Sequence, residues 1–219
     1  MLKGAIFDFD GTLFDSMYVW DNAGENYLRS IGIVPNENPQ KYLRTLSIAQ
    51  SAVYIKEHYA PWLSAAEVKE GLVRTVERFY LNEVKPKAGA AEFLEELYSR
   101  GVKMCIATAS EKYQVAAALN RCGLDKYFRE IITCSEIGHG KDEPAVFRRA
   151  AECLGTPKED AAVFEDSLYA LKTAKSDGFI TVGVYDRYES CQEEIRALAD
   201  FYIEGFNKTE QFWRFASAI

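Results

Sequence analysis

Short runs rich in Val, Ile and Phe recur along the chain, each followed by a longer segment with helical spacing. This alternation restricts the possible folds more than any other feature. The apolar runs cover 5–9, 102–107, 131–134, 161–164, 180–184 and 201–203. Amphipathic patterns cover 90–99, 112–122, 145–154 and 168–176, and Gly123, Gly155 and Gly178 close the last three, as glycine does where a helix ends in a left-handed turn. Apolar runs of this kind, alternating with helices, predict a parallel sheet covered on both faces. The expected fold class is therefore α/β, a doubly wound parallel sheet.

One interval breaks the rhythm. From 15 to 84 the patterns are helical and no strand is convincing. The stretch SAAE at 64–67 reads as a capping box opening a helix that runs towards Tyr80, and 40–59 has helical spacing as well. Such an insertion either packs on the core as a plain excursion or forms a cap over the strand ends, where open α/β sheets bind ligands. The expected division is a core of 1–14 and 85–219 with a helical domain of 15–84, rejoined through the Lys85-Pro86-Lys87 turn. A chain of 219 residues suits one large domain or one domain carrying a smaller insertion.

Charge narrows the partners. With 33 acidic and 26 basic residues, a net charge of -7 and no dense Lys/Arg block, neither a nucleic acid nor an anionic membrane is an expected partner. Five cysteines in no metal or redox spacing fit a reducing cytoplasm. Acidic residues arrive by Asp8, too early for a secretory leader, and no apolar run is long enough to span a bilayer. The expectation is a cytoplasmic protein, a monomer or weak dimer.

The chemistry gathers where strands end. Asp8 and Asp10, in IFDFDGTLFDS, stand two apart at the end of the first run, so on a strand they share a face. A DG pair alone is turn chemistry, but two neighbouring anions need a cation, a shared proton or a basic partner. The run MCIATAS ends in the hydroxyls of Thr108 and Ser110 around Ala109. These residues tie off the ladder, cap the next helix, or hold a phosphate oxygen. In EIGHGKDEPAVF the Gly140-Lys141 pair does not complete a P-loop, since Ser135 and Asp142 stand where that motif needs Gly and Ser or Thr. Lys141 is either a solvated lysine or the cation that makes the two aspartates compatible. Glu165 and Asp166 follow another buried-looking strand in VFEDSLYALK. Either Asp166 or Ser167 caps the next helix and Glu165 complements its dipole, or Glu165 and Asp166 serve with Asp8 and water as hard oxygen ligands for magnesium.

In this order and setting, DFDGT, a strand ending in Thr108, then Lys141, then Glu165-Asp166, the chain resembles the haloacid dehalogenase superfamily. The likeness covers essentially the whole chain and points to the subgroup with small α-helical caps that includes phosphoglycolate phosphatase and β-phosphoglucomutase. It implies a Rossmann-like core with an inserted cap, and a phosphoric monoester hydrolase acting on a small phosphorylated metabolite. By resemblance, Asp8 attacks phosphorus and becomes an aspartyl phosphate. Asp10 protonates the leaving oxygen and then accepts the proton of the hydrolytic water. The resemblance makes Asp8, Asp10, Thr108 and Lys141 catalytic. Asp8, Gly11, Thr108, Ala109, Ser110 and Lys141 would surround the phosphate, with Gly11 turning the chain so that amides face it. Magnesium would be held by Asp8, the Asp10 carbonyl and Asp166, with Glu165 acting directly or through water. A carboxylate nearing a phosphate dianion meets repulsion that a divalent ion and Lys141 would cancel.

Phosphoryl transfer between sugar positions is the rival activity. Mutases of that type carry a His in the helix after the first motif and a Gly-containing, Arg-bearing cap loop. Here Trp20 stands near the His position, and the cap stretch LRTLSIAQSAVY lacks the Gly. A non-catalytic phospho-acceptor module is the alternative from another class, and Asp10 argues against it. None of the cysteines has the C-x5-R spacing of a cysteine phosphatase, and His58 and His139 lack an RHG context. His139 reads as a loop residue. Tyr18, Trp20, Lys41, Arg44, Thr45, Ser47 and Gln50 are candidates for contact with the remote end of a substrate, while Tyr18 and Trp20 suit the core of the helical domain equally well.

Overall fold

A computed structural model describes residues 2–43 and 48–218. Chain contacts divide it into two compact units, one of Met1–Asp15 with Lys85–Ile219 and the other of Ser16–Val84.

The first unit is built on a sheet of six strands. In chain order, β1 is Gly4–Phe7, β2 Phe14–Asp15, β3 Lys85–Pro86, β4 Lys103–Thr108, β5 Phe128–Thr133, β6 Ala161–Glu165, β7 Ile180–Val184 and β8 Phe201–Ile203. The large sheet runs β5-β4-β1-β6-β7-β8, and every pairing in it is parallel. This is the expected doubly wound α/β core. The order reverses around β1, so β1 lies between β4 and β6 and the three strands end on one rim.

Side-chain alternation explains how both faces are covered. Ile6 and Val163 point into a cluster with Val146, Phe147, Ala150 and Leu154 of the helix Ala145–Leu154. Their neighbours Phe7 and Phe164 stack on the opposite face with ring centroids 4.3 Å apart. Phe93 of the helix Ala90–Ser99 and Phe212 of the helix Glu210–Ala218 pack edge-on against each other there. Burial of strands on both sides is what their uninterrupted apolar composition requires.

Two strand limits differ from the sequence expectation by more than one residue. β1 stops at Phe7, not at residue 9, because Phe9 turns inward and its carbonyl accepts the amides of Leu13 and Phe14. Asp8 and Asp10 therefore lie in the turn beyond the strand rather than side by side on it. β5 begins at Phe128, earlier than expected, and Cys134 opens the short helix Cys134–Ile137, capped by Thr133 and Glu136.

β2 and β3 form an antiparallel ribbon where the chain leaves this unit and returns to it. The loop after β7 grips both crossings. Arg187 Nη2 donates to both carboxylate oxygens of Asp15 at 3.1 Å. Lys87 Nζ donates to the Tyr185 carbonyl at 2.5 Å and pairs with the buried Asp186 carboxylate at 3.0 Å.

Among its described residues the second unit is helical outside its loops, with helices at Met17–Asp21, Ala23–Ser30, Gln40–Leu43, Ile48–His58 and Ala65–Asn82. The last opens on the capping box expected from SAAE, with reciprocal bonds between Ser64 and Glu67. Its core joins Tyr27, Leu28, Leu43, Ala52, Ile55, Val68 and Leu72. Arg44, Thr45 and Ser47 lie outside the described residues.

Candidate active site

Parallel register brings the acidic residues to one rim. Phe7 pairs with Ile106 on one side and Phe164 on the other, so Asp8 follows at the level where β4 and β6 finish in Thr108 and Glu165. The Asp8 amide donates to the Phe164 carbonyl at 3.0 Å, which fixes its backbone.

Lys141 enters from the loop before the helix Ala145–Leu154 and is 4% exposed. Its ammonium donates to Asp8 Oδ1 and, at 2.8 Å, to Glu165 Oε2. It is thus a buried bridging cation and not a solvated surface group. The other Glu165 oxygen accepts from the Ser167 amide at 3.2 Å and the Ser167 hydroxyl at 2.8 Å. Ser167 makes no side-chain cap on the helix Leu168–Ser176, so helix capping does not account for these residues.

Asp166 is held from a different direction. Its Oδ1 accepts from the Thr12 hydroxyl at 2.7 Å, across 154 positions of sequence. One oxygen each from Asp8, Glu165 and Asp166 lies within 4.8 Å of the others, and all three residues are buried. The cluster is crowded with like charge. Burial pushes the Asp8 carboxyl up to about 8; Lys141 opposes the shift and Glu165 and Asp10 add to it. Burial also raises Asp166 well above its ordinary value, reinforced by Glu165 and Asp8 and opposed by Thr12 and Lys87. Burial works against the charge on Lys141, but Asp8 and Glu165 outweigh it and hold the ammonium above its ordinary value.

An oxygen-only, strongly anionic donor set of this size fits a hard divalent cation. One ammonium does not offset three ionised carboxylates, and such an ion would take the place of the protons that burial otherwise favours on Asp8 and Asp166. Asp8 and Asp166 offer themselves most directly, since both Glu165 oxygens already accept hydrogen bonds.

The remaining expected residues sit as follows. Thr108 is fully buried at the end of β4, and its Oγ1 accepts the Ser110 amide at 3.0 Å. Ala109 is exposed in the bend that follows. The Ser110 hydroxyl donates to Asp10 Oδ2 at 2.5 Å. Gly11 has φ of 78°, so the turn depends on its conformational freedom. Its amide, however, donates to the Phe14 carbonyl at 3.0 Å, closing the turn instead of facing outward. His139 lies in a loop and pairs with Glu143 at 3.0 Å. In the helical unit the Trp20 indole donates to the Tyr80 hydroxyl at 3.0 Å, and Tyr18 meets Phe79 edge-on.

Sequence reading missed Thr12 and Lys87, and took Ser167 only as a helix cap, whereas it donates to Glu165. Thr12 closes the DFDGT element, and its contact with Asp166 exists only once β1 and β6 are neighbours.

Residues 5–184 match the haloacid dehalogenase-like hydrolase family, and the chain belongs to it. The phosphorylated carbohydrates phosphatase of Thermotoga maritima is 27% identical over 81% of this chain and 82% of its own length. The validoxylamine A 7'-phosphate phosphatase of Streptomyces hygroscopicus subsp. limoneus is 26% identical over 97% of both chains. Among solved structures, that of a putative beta-phosphoglucomutase from Thermotoga maritima superposes with a TM-score of 0.85 over 97% of this chain and 99% of that one, at 23% identity. The fold is thus that of its family.

Proposed function

We propose that the protein is a magnesium-dependent phosphatase that hydrolyses a small phosphorylated metabolite through an aspartyl phosphate on Asp8. The observation that carries this reading is the Lys141 ammonium seated between Asp8 and Glu165, inside a buried cluster of carboxylate oxygens. Relatives named as phosphatases of phosphorylated carbohydrates and of validoxylamine A 7'-phosphate support the substrate class.

A bound magnesium ion would supply positive charge against the phosphoryl oxygens, held by Asp8, Asp166 and the Asp10 carbonyl, with Glu165 acting through water. Asp8 attacks phosphorus with a carboxylate oxygen. As that bond forms, the ester P–O bond breaks, and the departing oxygen keeps the electron pair and takes a proton from Asp10. Water then attacks phosphorus and gives a proton back to Asp10. The bond to Asp8 breaks, releasing phosphate and restoring the carboxylate. Lys141 and Thr108 hold phosphoryl oxygens throughout, and Lys141 also keeps Asp8 in place. The helical unit is proposed to act as the cap that sets specificity.

Transfer between sugar positions is the competing reaction. Trp20 stands near the position where such mutases carry His, and its indole is tied to Tyr80, which favours hydrolysis.

A panel of phosphorylated metabolites, assayed with Mg2+, tests the proposal. At least one should be hydrolysed, and Asp8→Asn should lose activity by about 1,000-fold or more. Wild-type turnover in Asp8→Asn would remove the nucleophile. A phosphoisomer formed from glucose 1-phosphate would replace hydrolysis by transfer.

A further inference from the structure

We propose that Ser110 is a positioning residue for Asp10, holding its carboxyl group in the orientation from which it serves the leaving oxygen, rather than a ligand of the phosphate. The inference rests on the phosphatase reading given above and assigns a distinct part within it.

Two bonds carry it. The Ser110 backbone is set by its amide, which donates to Thr108 Oγ1 at 3.0 Å immediately after β4 ends. From that fixed point the hydroxyl donates to Asp10 Oδ2 at 2.5 Å. An O–H···O bond of this length lies at the short end of the ordinary range. Ser110 is 7% exposed and Asp10 is half-buried, so the bond has little competition from bulk water.

The consequence for Asp10 is geometric. It lies outside any named strand, in the turn that follows β1. A carboxyl group there has a free χ2 rotation unless something fixes it. Ser110 holds Oδ2 and so restricts the orientation in which the carboxyl group meets substrate or water. A misplaced acid forfeits much of the advantage of general catalysis, because the proton must be within hydrogen-bond reach as the ester bond breaks.

The consequence for Ser110 is equally specific. Its single hydroxyl proton is directed at Asp10, whereas Thr108 Oγ1 accepts an N–H and so keeps its own proton to donate. The two hydroxyls of the TAS stretch therefore divide their work, with Thr108 serving the phosphoryl group and Ser110 serving the acid.

Leaving-group dependence separates positioning from phosphate binding. p-Nitrophenyl phosphate expels a stable phenolate that needs no proton, whereas phenyl phosphate and β-glycerophosphate expel oxygens that need one. Steady-state kinetics of the full chain with Mg2+ would compare wild type, Ser110→Ala and Ser110→Thr on all three, with inorganic phosphate as inhibitor. Ser110→Ala should lose roughly 10-fold or more in kcat on β-glycerophosphate and phenyl phosphate, and less than about 3-fold on p-nitrophenyl phosphate. Inhibition by phosphate should stay within about 2-fold of wild type, and Ser110→Thr, which keeps the hydroxyl, should recover most of the loss. An equal loss on all three esters together with weaker phosphate inhibition would make Ser110 a phosphate ligand and overturn the proposal. Unchanged kinetics on every ester would overturn it too. Asp8→Asn, run alongside, reads the phosphatase assignment separately: an inactive Asp8→Asn with a uniformly impaired Ser110→Ala removes only the role of Ser110. An active Asp8→Asn removes both.

Discussion

At Lys141 a flexible ammonium, 4% exposed, lies between Asp8 and Glu165, and a compact point charge on a long stem suits that crowded place better than a planar guanidinium. A second lysine has a structural version of the same task. Lys87 pairs at 3.0 Å with Asp186, whose side chain is 2% exposed. Removing one partner of a buried pair leaves the other charge unpaired. Lys87→Met should therefore lower stability by about 2–4 kcal/mol in urea unfolding, and a loss below about 1 kcal/mol would show Asp186 to be satisfied without it. Surface pairs obey a gentler rule. The Asp177 carboxyl is held below its ordinary value of 3.8, first by the hydrogen-bonded Arg148 fork and also by Lys158. A carboxyl with a depressed folded value stabilises the protein above the unfolded value, and the effect fades as pH falls through the folded one. At neutral pH Asp177→Asn should cost on the order of 1 kcal/mol, since Arg148 is largely solvated. The difference from wild type should shrink below pH 3.8, and a gap constant down to strongly acidic pH would refute the linkage.

Among elements, the helix Ala65–Asn82 shows how local propensity and packing can oppose each other. Its capping box was readable as SAAE because the two reciprocal bonds need only residues three apart. Gly71 in its interior is costly for a helix, and replacing it by Ala would gain about 1 kcal/mol by propensity alone. A methyl group there would meet the Tyr27 ring at 2.1 Å, however. Overpacking against a rigid aromatic typically costs about 1–3 kcal/mol. Gly71→Ala should thus lower the melting temperature, and a higher one would mean that Tyr27 moves aside freely. The ribbon of β2 and β3 makes the complementary point. Each strand has two residues, too short for a periodic signal, and they pair only because the chain leaves and re-enters the core at neighbouring places.

For the whole molecule, the three carboxylates that would hold a cation belong to one unit, and so do Lys141 and Thr12. Ligand binding to the folded state stabilises it by mass action, about 2.7 kcal/mol at a hundred times Kd. Excess Mg2+ should accordingly slow amide exchange at the ends of β1, β4 and β6, and chelation should abolish turnover without loss of helical circular dichroism. Equal exchange with and without the ion would argue against a site at that rim. Much of this architecture was legible in the chain. The helices at 90–99, 145–154 and 168–176 match the expected limits, because amphipathic period and closing glycine or loop are local signals. Asp8, Thr108, Lys141, Glu165 and Asp166 stood out because each is a polar residue following an apolar run or opening a helix. Less legible was where β1 would stop, since the turn at Phe9 is held by carbonyl bonds to Leu13 and Phe14 that no periodicity announces. By itself the sequence determined the kinds of element, their order and the chemical character of the rim, all of which follow from residues close together in the chain. Only the tertiary structure decided that Thr12 would hold Asp166, that Ser110 would hold Asp10, and that Lys141 would bridge Asp8 and Glu165. Those partners lie 154, 100, 133 and 24 positions apart, and it is the order of strands in the sheet that makes such distant residues neighbours.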